Sequence, residues 1–477
     1  MSGTRPTLRI VKESISVYTA TPKPNGDERQ TLQPEGGREI TEPDQNPKPP
    51  VQGRRSIYTA TLKPKDDQQQ TLQPEDGKPK PLIRKVSKML RDNKNMEKYY
   101  EPRAVSIGLL HHGRDKFSLA ERHKLTLAEL FITENGVDVI GLHSKIKTKI
   151  VRLKQCYAEE DVKRVNISDE NLAEMFLIDG FALLHYICYA SLGNLNDLKN
   201  IGMDMEAFSQ DLFLLENQLP YEVLDDIMTS ATKGGANMRN LIDKFIDQTV
   251  RDIRGSPLTS PSPQQQQQQP PPAHLLQLLR NRLVGDYHHQ TDEKTKTGKQ
   301  QVGRVNELKS AGIQLKSGTS EGSLRDNISF ASGTLTLPCL VVNDSTASKL
   351  SNLIAFEMSP DFQNDSQVIT SFIFFLHSLI DQPDDVKELR KAHVLINKNN
   401  DDDAVAGSDE EVARLFKEIG SSDVGSIPEA YLEVKELIQK HCEKKWKTRM
   451  TLFAFAAAAI ALLVMSFSSR LGAPALN

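Results

Sequence analysis

Acidic and amide side chains set inside an apolar run are the first chemistry this sequence offers. The stretch Asp211–Leu224, DLFLLENQLPYEVL, places Asp211 and then Glu216, Asn217 and Gln218 among leucines, with Pro220 just beyond. A polar group buried without a partner costs a few kcal/mol. These residues therefore either hold an exposed turn or belong to a buried hydrogen-bond network. Asp211 and Glu216 carry the groups an acid–base pair would need. No nucleophile or phosphate loop accompanies them in the sequence, and such companions are what define a reaction. A structural junction is the first reading of this cluster, and an uncharacterised enzyme built around Glu216 the alternative.

Other reactive side chains lead no further. His111, His112 and His123 are the nearest approach to a metal cluster, but their spacing fits no familiar zinc pattern and no cysteine is close by. Cys156, Cys188, Cys339 and Cys442 are far apart, with no C-x-x-C pair. That usage fits reduced thiols facing the cytosol better than a disulfide framework. G-x-G-x-x-G, Walker A and H-E-x-x-H are all missing from the sequence. The expectation is no catalytic, cofactor-binding or metal site.

A chain of 477 residues allows two or three domains or one large core with tails. Hydrophobic residues make up 38% and the mean hydropathy is −0.46, so part of the chain must be solvated. Sixty basic residues stand against 63 acidic ones, a net charge of −3, which gives no electrostatic case for nucleic acid as a partner. The first residues lack an apolar core of the secretory type, so no signal sequence is expected there.

Residues 1–80 contain a duplication at an offset of 40: Tyr18–Thr21 recurs as Tyr58–Thr61, and Gln30–Glu35 as Gln70–Glu75. Both copies are rich in Pro, Gln and charge, so a disordered tail is expected rather than a stacked repeat. A helical domain follows in two halves, 81–254 and 273–445, joined by a Pro/Gln low-complexity linker at 255–272. Ser118 with Glu121, and Ser408 with Glu411, have the spacing of capping boxes. Ser168 is a further cap, and Ser426–Glu429 marks the start of the last helix. Asp179-Gly180 sits inside an apolar helical pattern, which predicts a kink or a close helix–helix approach. Pro220 suits the first turn of a helix. Asn306–Leu315 reads as a short helix stopped by Gly312, and Ile328–Val342 as a hairpin around Ser332-Gly333. The predicted class is mainly α, with a minor β-hairpin.

The last segment, 446–470 with its flanks, has a different character. Met450–Phe467 carries no charge, and at about 1.5 Å per residue it spans roughly 27 Å, close to the hydrocarbon thickness. Lys440, Lys444, Lys445, Lys447 and Arg449 precede it, Trp446 lies at an interfacial position, and Arg470 follows. The expectation is a single-pass transmembrane helix of the tail-anchor kind, with the large N-terminal part in the cytosol by the positive-inside rule. Cys442 is a candidate lipidation site near that boundary.

A set of short motifs, in order, resembles one plant family. They are Tyr100-Glu101-Pro102, Val105–Gly108 and His111-His112-Gly113; Cys156-Tyr157; and Met175 through Asp179, Gly180 and Phe181. Asp211, Leu215–Pro220, His274–Leu276, Glu307-Leu308 with Ala311-Gly312, and Leu337-Pro338 come next. Asn343–Thr346 and Asn352 through Phe356 and Glu357 complete the pattern. The chain is similar over about residues 81–467 to the family built on domain of unknown function 247, also called UPF0481. It departs from the family at Val86-Ser87, Leu109-Leu110 and Leu125, where other residues are usual. The resemblance implies a membrane-associated, mostly helical plant protein with a C-terminal membrane segment and no established catalytic activity. It also implies a recognition role through unidentified protein partners, since some family members are associated with self-incompatibility in grasses. A cell-surface recognition protein is a further alternative.

Overall fold

A computed structural model describes residues 82–92, 96–255, 271–285, 302–318, 324, 327–359, 367–396, 407–420 and 431–471. The duplicated tail, most of the Pro/Gln linker and the Ser426–Glu429 helix start lie outside the described residues. The mainly helical class holds. The helices are α1 (Lys88–Arg91), α2 (Ser118–Asn135), α3 (Val139–Gln155), α4 (Glu159–Val165), α5 (Asp169–Leu192), α6 (Met205–Asp211), α7 (Tyr221–Ser230) and α8 (Gly235–Arg254). The second half adds α9 (Leu275–Val284), α10 (Val305–Ser310), α11 (Asp344–Glu357), α12 (Val368–Leu379), α13 (Pro383–Lys391), α14 (Asp409–Gly420) and α15 (Leu432–Leu471).

Helix α5 is the axis. Apolar residues occur all round it, from Leu172 and Phe176 to Leu184 and Ile187, and a helix of that kind must be enclosed. It packs against α2, α3, α7 and α8, with Phe131 of α2 stacked on Phe181 at 5.6 Å. Asp179-Gly180 does not break it. Gly180 instead lets α7 approach closely: a Cβ there would lie 2.4 Å from the Ile227 Cδ1. Ser168 caps the start of α5 by accepting the Asn171 N–H at 3.2 Å, as expected. Helix α8 buries Met238, Ile242, Phe245, Ile246, Val250 and Ile253, one stripe at helical spacing, and its other end meets α9 and the second half of the chain. Both halves contribute to one continuous apolar core.

Of the two expected capping boxes, one forms and one does not. Ser408 and Glu411 form their reciprocal box, each side chain accepting the other's N–H at 3.2 Å. Ser118 and Glu121 do not. Helix α2 begins at Ser118 itself, and Glu121 is drawn to the buried Lys124 ammonium at 2.9 Å. An ion pair in a buried setting outweighs one cap bond.

The hairpin is present as β2 (Ser329–Ala331) and β3 (Thr334–Leu337), joined through Ser332 and Gly333. Both turn residues have positive φ, 52° and 79°, the turn whose twist matches antiparallel strands. A third strand, β1 (Gln314–Ser317), pairs parallel to β3, so Leu315 is in a strand and α10 stops at Ser310. A second pair, β4 (Leu340–Val341) with β5 (Leu395–Ile396), is also parallel.

Helix α15 runs 40 residues without a break. Its first part lies on the β2 strand. From Met450 to Met465 its apolar side chains, among them Phe453, Phe455, Ile460 and Leu463, are exposed. The stretch is long and apolar enough to cross a membrane. Helix α5 meets the same length and composition criterion but is buried in the core.

Candidate functional site

Helix α6 ends at Asp211, and the chain then crosses the core without regular structure until α7 starts at Tyr221. Residues 211–220 are all buried. Their polar side chains do not cap the start of α7. Pro220 stands at the N-cap of α7, one position before the first turn. The free Tyr221 N–H goes to the Ala273 carbonyl at 2.8 Å, from the second half.

Four consecutive residues instead tie four distant segments together. The Leu215 N–H donates to Asn352 Oδ1 at 2.8 Å. The Val86 N–H donates to Glu216 Oε1 at 2.7 Å. The Ile107 N–H donates to Asn217 Oδ1 at 2.7 Å, and the Leu276 N–H to Gln218 Oε1 at 3.0 Å. The amide nitrogens are used as well. Asn217 Nδ2 donates to the Val105 and Asp211 carbonyls at 3.2 and 3.0 Å. Gln218 Nε2 donates to the Leu212 and Leu214 carbonyls, both at 2.8 Å.

The segment 99–110 explains why so many polar groups are needed. Beyond the 3₁₀ turn that ends at Tyr99 it forms no helix or ladder and is buried over most of its length, so its backbone groups must find partners among side chains. Asp211 accepts the N–H groups of Arg103 at 3.0 Å, Ala104 at 2.6 Å and Val105 at 2.9 Å. Burial pushes the Asp211 carboxyl up, and these three amides oppose that push. Asp179 accepts the Gly108 N–H at 2.8 Å and pairs with Lys124, whose ammonium also donates to the Ser106 carbonyl at 2.7 Å. Burial alone would lower Lys124, but Asp179 and Glu121 outweigh it and hold the ammonium charged. Asn352 Nδ2 donates to the Tyr99 carbonyl at 2.8 Å. Gly108, at φ +73°, fits because a Cβ would sit 2.2 Å from the Gln218 carbonyl oxygen.

Glu216 is braced further. Arg91 clasps it through Nε at 3.3 Å and Nη2 at 2.6 Å, and also reaches Glu101 at 3.0 Å. Arg114 donates to the other Glu101 oxygen at 2.8 Å. His111 is fully buried, with Nε2 3.5 Å from Glu216 Oε2. Burial first, and the Arg114 guanidinium next, push His111 down to about 3, so the ring is neutral at physiological pH. Both Glu216 oxygens are thus engaged by donors from 86 and 91. A cleft of about 800 Å³ is lined by Arg103, Gln210, Asn343 and Arg414 among others, but not by Glu216.

The remaining motif residues form a second brace. Glu357, at the end of α11, accepts the Thr370 N–H at 2.8 Å and its hydroxyl at 2.9 Å, and Arg280 Nε donates to it at 3.0 Å. It therefore caps α12 and fixes α9 at once. Phe356 packs edge-on to His274 at 4.9 Å. Cys442 lies half-buried against the core, and burial pushes its thiol up. Among the described residues no His, Cys, Asp or Glu group is arranged to hold a metal. His111 and His112 lie in the loop before α2, and His123 on α2 itself.

Lys124, Arg91, Arg280 and Lys349 escaped the sequence reading. The first and third are the single cations on the buried faces of α2 and α9, the positions where a charge needs a partner. Lys349 is buried against the Phe213 ring at 5.8 Å and is pushed down to about 8 by burial.

The profile of DUF247, described as plant protein of unknown function, matches residues 83–466. The chain is 25% identical to the UPF0481 protein At3g47200 of Arabidopsis thaliana over 378 residues, 73% of this chain and 75% of that one. It is 20% identical to the Putative UPF0481 protein At3g02645 of the same plant, over 77% of this chain and 86% of the relative. No solved structure matches the chain.

Proposed function

We propose, from the premise that this chain belongs to the DUF247 family of plant proteins of unknown function, that it is a membrane-anchored protein acting through contacts with other proteins. One observation carries the reading: the apolar half of α15 is exposed along its length while joined without a break to a body with a well-closed core. Exposed apolar surface of that extent needs a covering, and a bilayer supplies one of matching length. The polar groups of the core support a scaffold rather than a reaction. Glu216, Asn217, Gln218, Asp211 and Asp179 are occupied in holding backbone, which leaves recognition to the outer surface.

The basic residues before the span favour a body in the cytosol over a recognition domain outside the cell. Protease protection on sealed plant microsomes tests this. Digestion of the body by external protease, leaving a short protected C-terminal piece, is the expected result. A body that survives would overturn the cytosolic placement. Release of the chain by alkaline carbonate would overturn the anchor itself. Proximity labelling from the full chain in plant cells then tests the partner reading, and neighbours whose labelling is lost when the body is deleted and the span kept are expected. Labelling unaffected by that deletion would overturn it.

A further inference from the structure

The first part of α15 is laid against the body along one face and bare along the other. Ile438 is buried, the His441 ring meets Phe330 edge-on at 5.5 Å, Lys445 approaches Gly312, and Arg449 donates to the Ser310 carbonyl at 3.1 Å. These positions recur at i, i+3, i+7 and i+11, a single helical stripe. On the other side Lys440, Lys444 and Lys447 follow one another at i, i+4 and i+7 and, with Glu443, Thr448 and Thr451, line a recess of about 380 Å³. Among the described residues Lys444 and Lys447 have no ion-pair partner, whereas Lys440 has Glu436 at 3.7 Å. The two threonine hydroxyls donate to the Lys444 and Lys447 carbonyls at 2.9 and 2.8 Å, so the ammonium groups are the donors left to a ligand.

We infer that this bare face of α15 binds the phosphate headgroups of anionic phospholipids. The inference rests on the anchoring reading and adds a ligand class to it. Three things point to lipid. The lysine face runs without interruption into the apolar stretch beginning at Met450, so the two surfaces meet the same bilayer. Lys440, Lys444 and Lys447 against Glu443 and the Glu436 paired with Lys440 still leave the face net positive, complementary to phosphate. The spacing is also right. At about 1.5 Å per residue, Lys447 lies roughly 4.5 Å and Lys444 roughly 9 Å from Met450, within the headgroup layer and one Debye length. Lys440, about 15 Å away and already paired, is at the edge of that range. The docking of the opposite stripe on the β2 strand keeps the lysines from rotating away.

The test uses the full chain reconstituted in vesicles of phosphatidylcholine with trace spin-labelled phosphatidylserine or spin-labelled phosphatidylcholine. The motionally restricted, protein-bound fraction of each is measured. A preference for phosphatidylserine of about fivefold, the effect of one surface lysine, is expected. It should fall in high salt, collapse toward unity in Lys444→Gln with Lys447→Gln, and change little in Lys440→Gln. Restricted lipid of both kinds with no preference would leave the anchor standing and overturn the headgroup site. No restricted lipid of either kind would overturn the anchoring reading and the inference with it. If inorganic phosphate abolishes the preference where sodium chloride of equal ionic strength does not, the face binds free phosphate and the lipid assignment falls.

Discussion

Asn217 holds Ile107 in place across 110 residues of chain: its side-chain oxygen accepts the Ile107 N–H at 2.7 Å, in a region closed to water. The same amide gives its two hydrogens to the Val105 and Asp211 carbonyls. One side chain thus completes three backbone groups that no helix or strand completes.

Replacing Asn217 by Leu should lower stability by about 2–4 kcal/mol, because up to three buried backbone groups lose a partner at once. Asn217→Asp should be no milder, since it keeps the acceptor, loses both donors and buries a charge against carbonyl oxygens. Glu216→Ala should cost about 1–3 kcal/mol through the orphaned Val86 N–H alone, with Glu216→Gln closer to wild type. Chemical denaturation of the full chain in mild detergent measures all four. A wild-type midpoint for Asn217→Leu would contradict this account of the core.

Two glycines separate space from backbone strain. Gly180→Ala meets the end of a flexible side chain, Ile227 Cδ1, and should cost about 1–3 kcal/mol. Gly108→Ala meets the Gln218 carbonyl at a positive φ, where nothing can yield, and should be the more damaging by thermal melting. The opposite order would mean that segment 99–110 can shift.

Lys124 and Asp179 are a buried pair, and removing one partner should hurt more than neutralising both. Lys124→Met alone is expected to cost about 3–5 kcal/mol. Adding Asp179→Asn, which can still accept the Gly108 N–H, should recover part of that loss. A double variant as unstable as the sum of the singles would show that the pair is not coupled.

Acid should weaken the fold through two buried imidazoles. Burial pushes both His111 and His274 from 6.5 down to about 3. The unfolded chain then binds more protons than the folded one between those values. Their contribution is complete above about pH 6.5 and is lost as pH falls toward 3, by up to about 1.4 kcal/mol per pH unit for each ring. His274 adds a structural reason: its Nδ1 accepts the Gln277 N–H at 3.2 Å and cannot do so once protonated. Denaturation midpoints across that range should fall with acid, and His111→Gln should flatten the slope. An unchanged slope would place the acid sensitivity elsewhere.

Much of the helical plan was legible because it is written locally. Ser168, the Ser408–Glu411 box and the Ser332-Gly333 turn each depend on residues within a few positions of one another. The polar cluster at 216–218 was legible as a cluster, but its meaning was not. Its donors lie at 86, 107 and 276, and nothing in the spacing of Glu216, Asn217 and Gln218 points to them. The Ser118 cap failed for the same reason, since Glu121 answers to a lysine whose buried partner is on another helix. The strands β1, β4 and β5 escaped because four or fewer residues carry little pattern, and their parallel partners are remote.

Residues 215–218 also impose an order of events on the newborn chain. Their hydrogen bonds close loops of 137, 130, 110 and 58 residues. Val86 and Ile107 leave the ribosome before them, Leu276 and Asn352 after. The Tyr99 carbonyl and the Leu215 N–H both wait for Asn352. The first half can collapse early, but its centre cannot lock until α11 has been made, and closing such loops is slow. The centre of the body therefore closes only after Asn352 has joined it, however early the first half collapses.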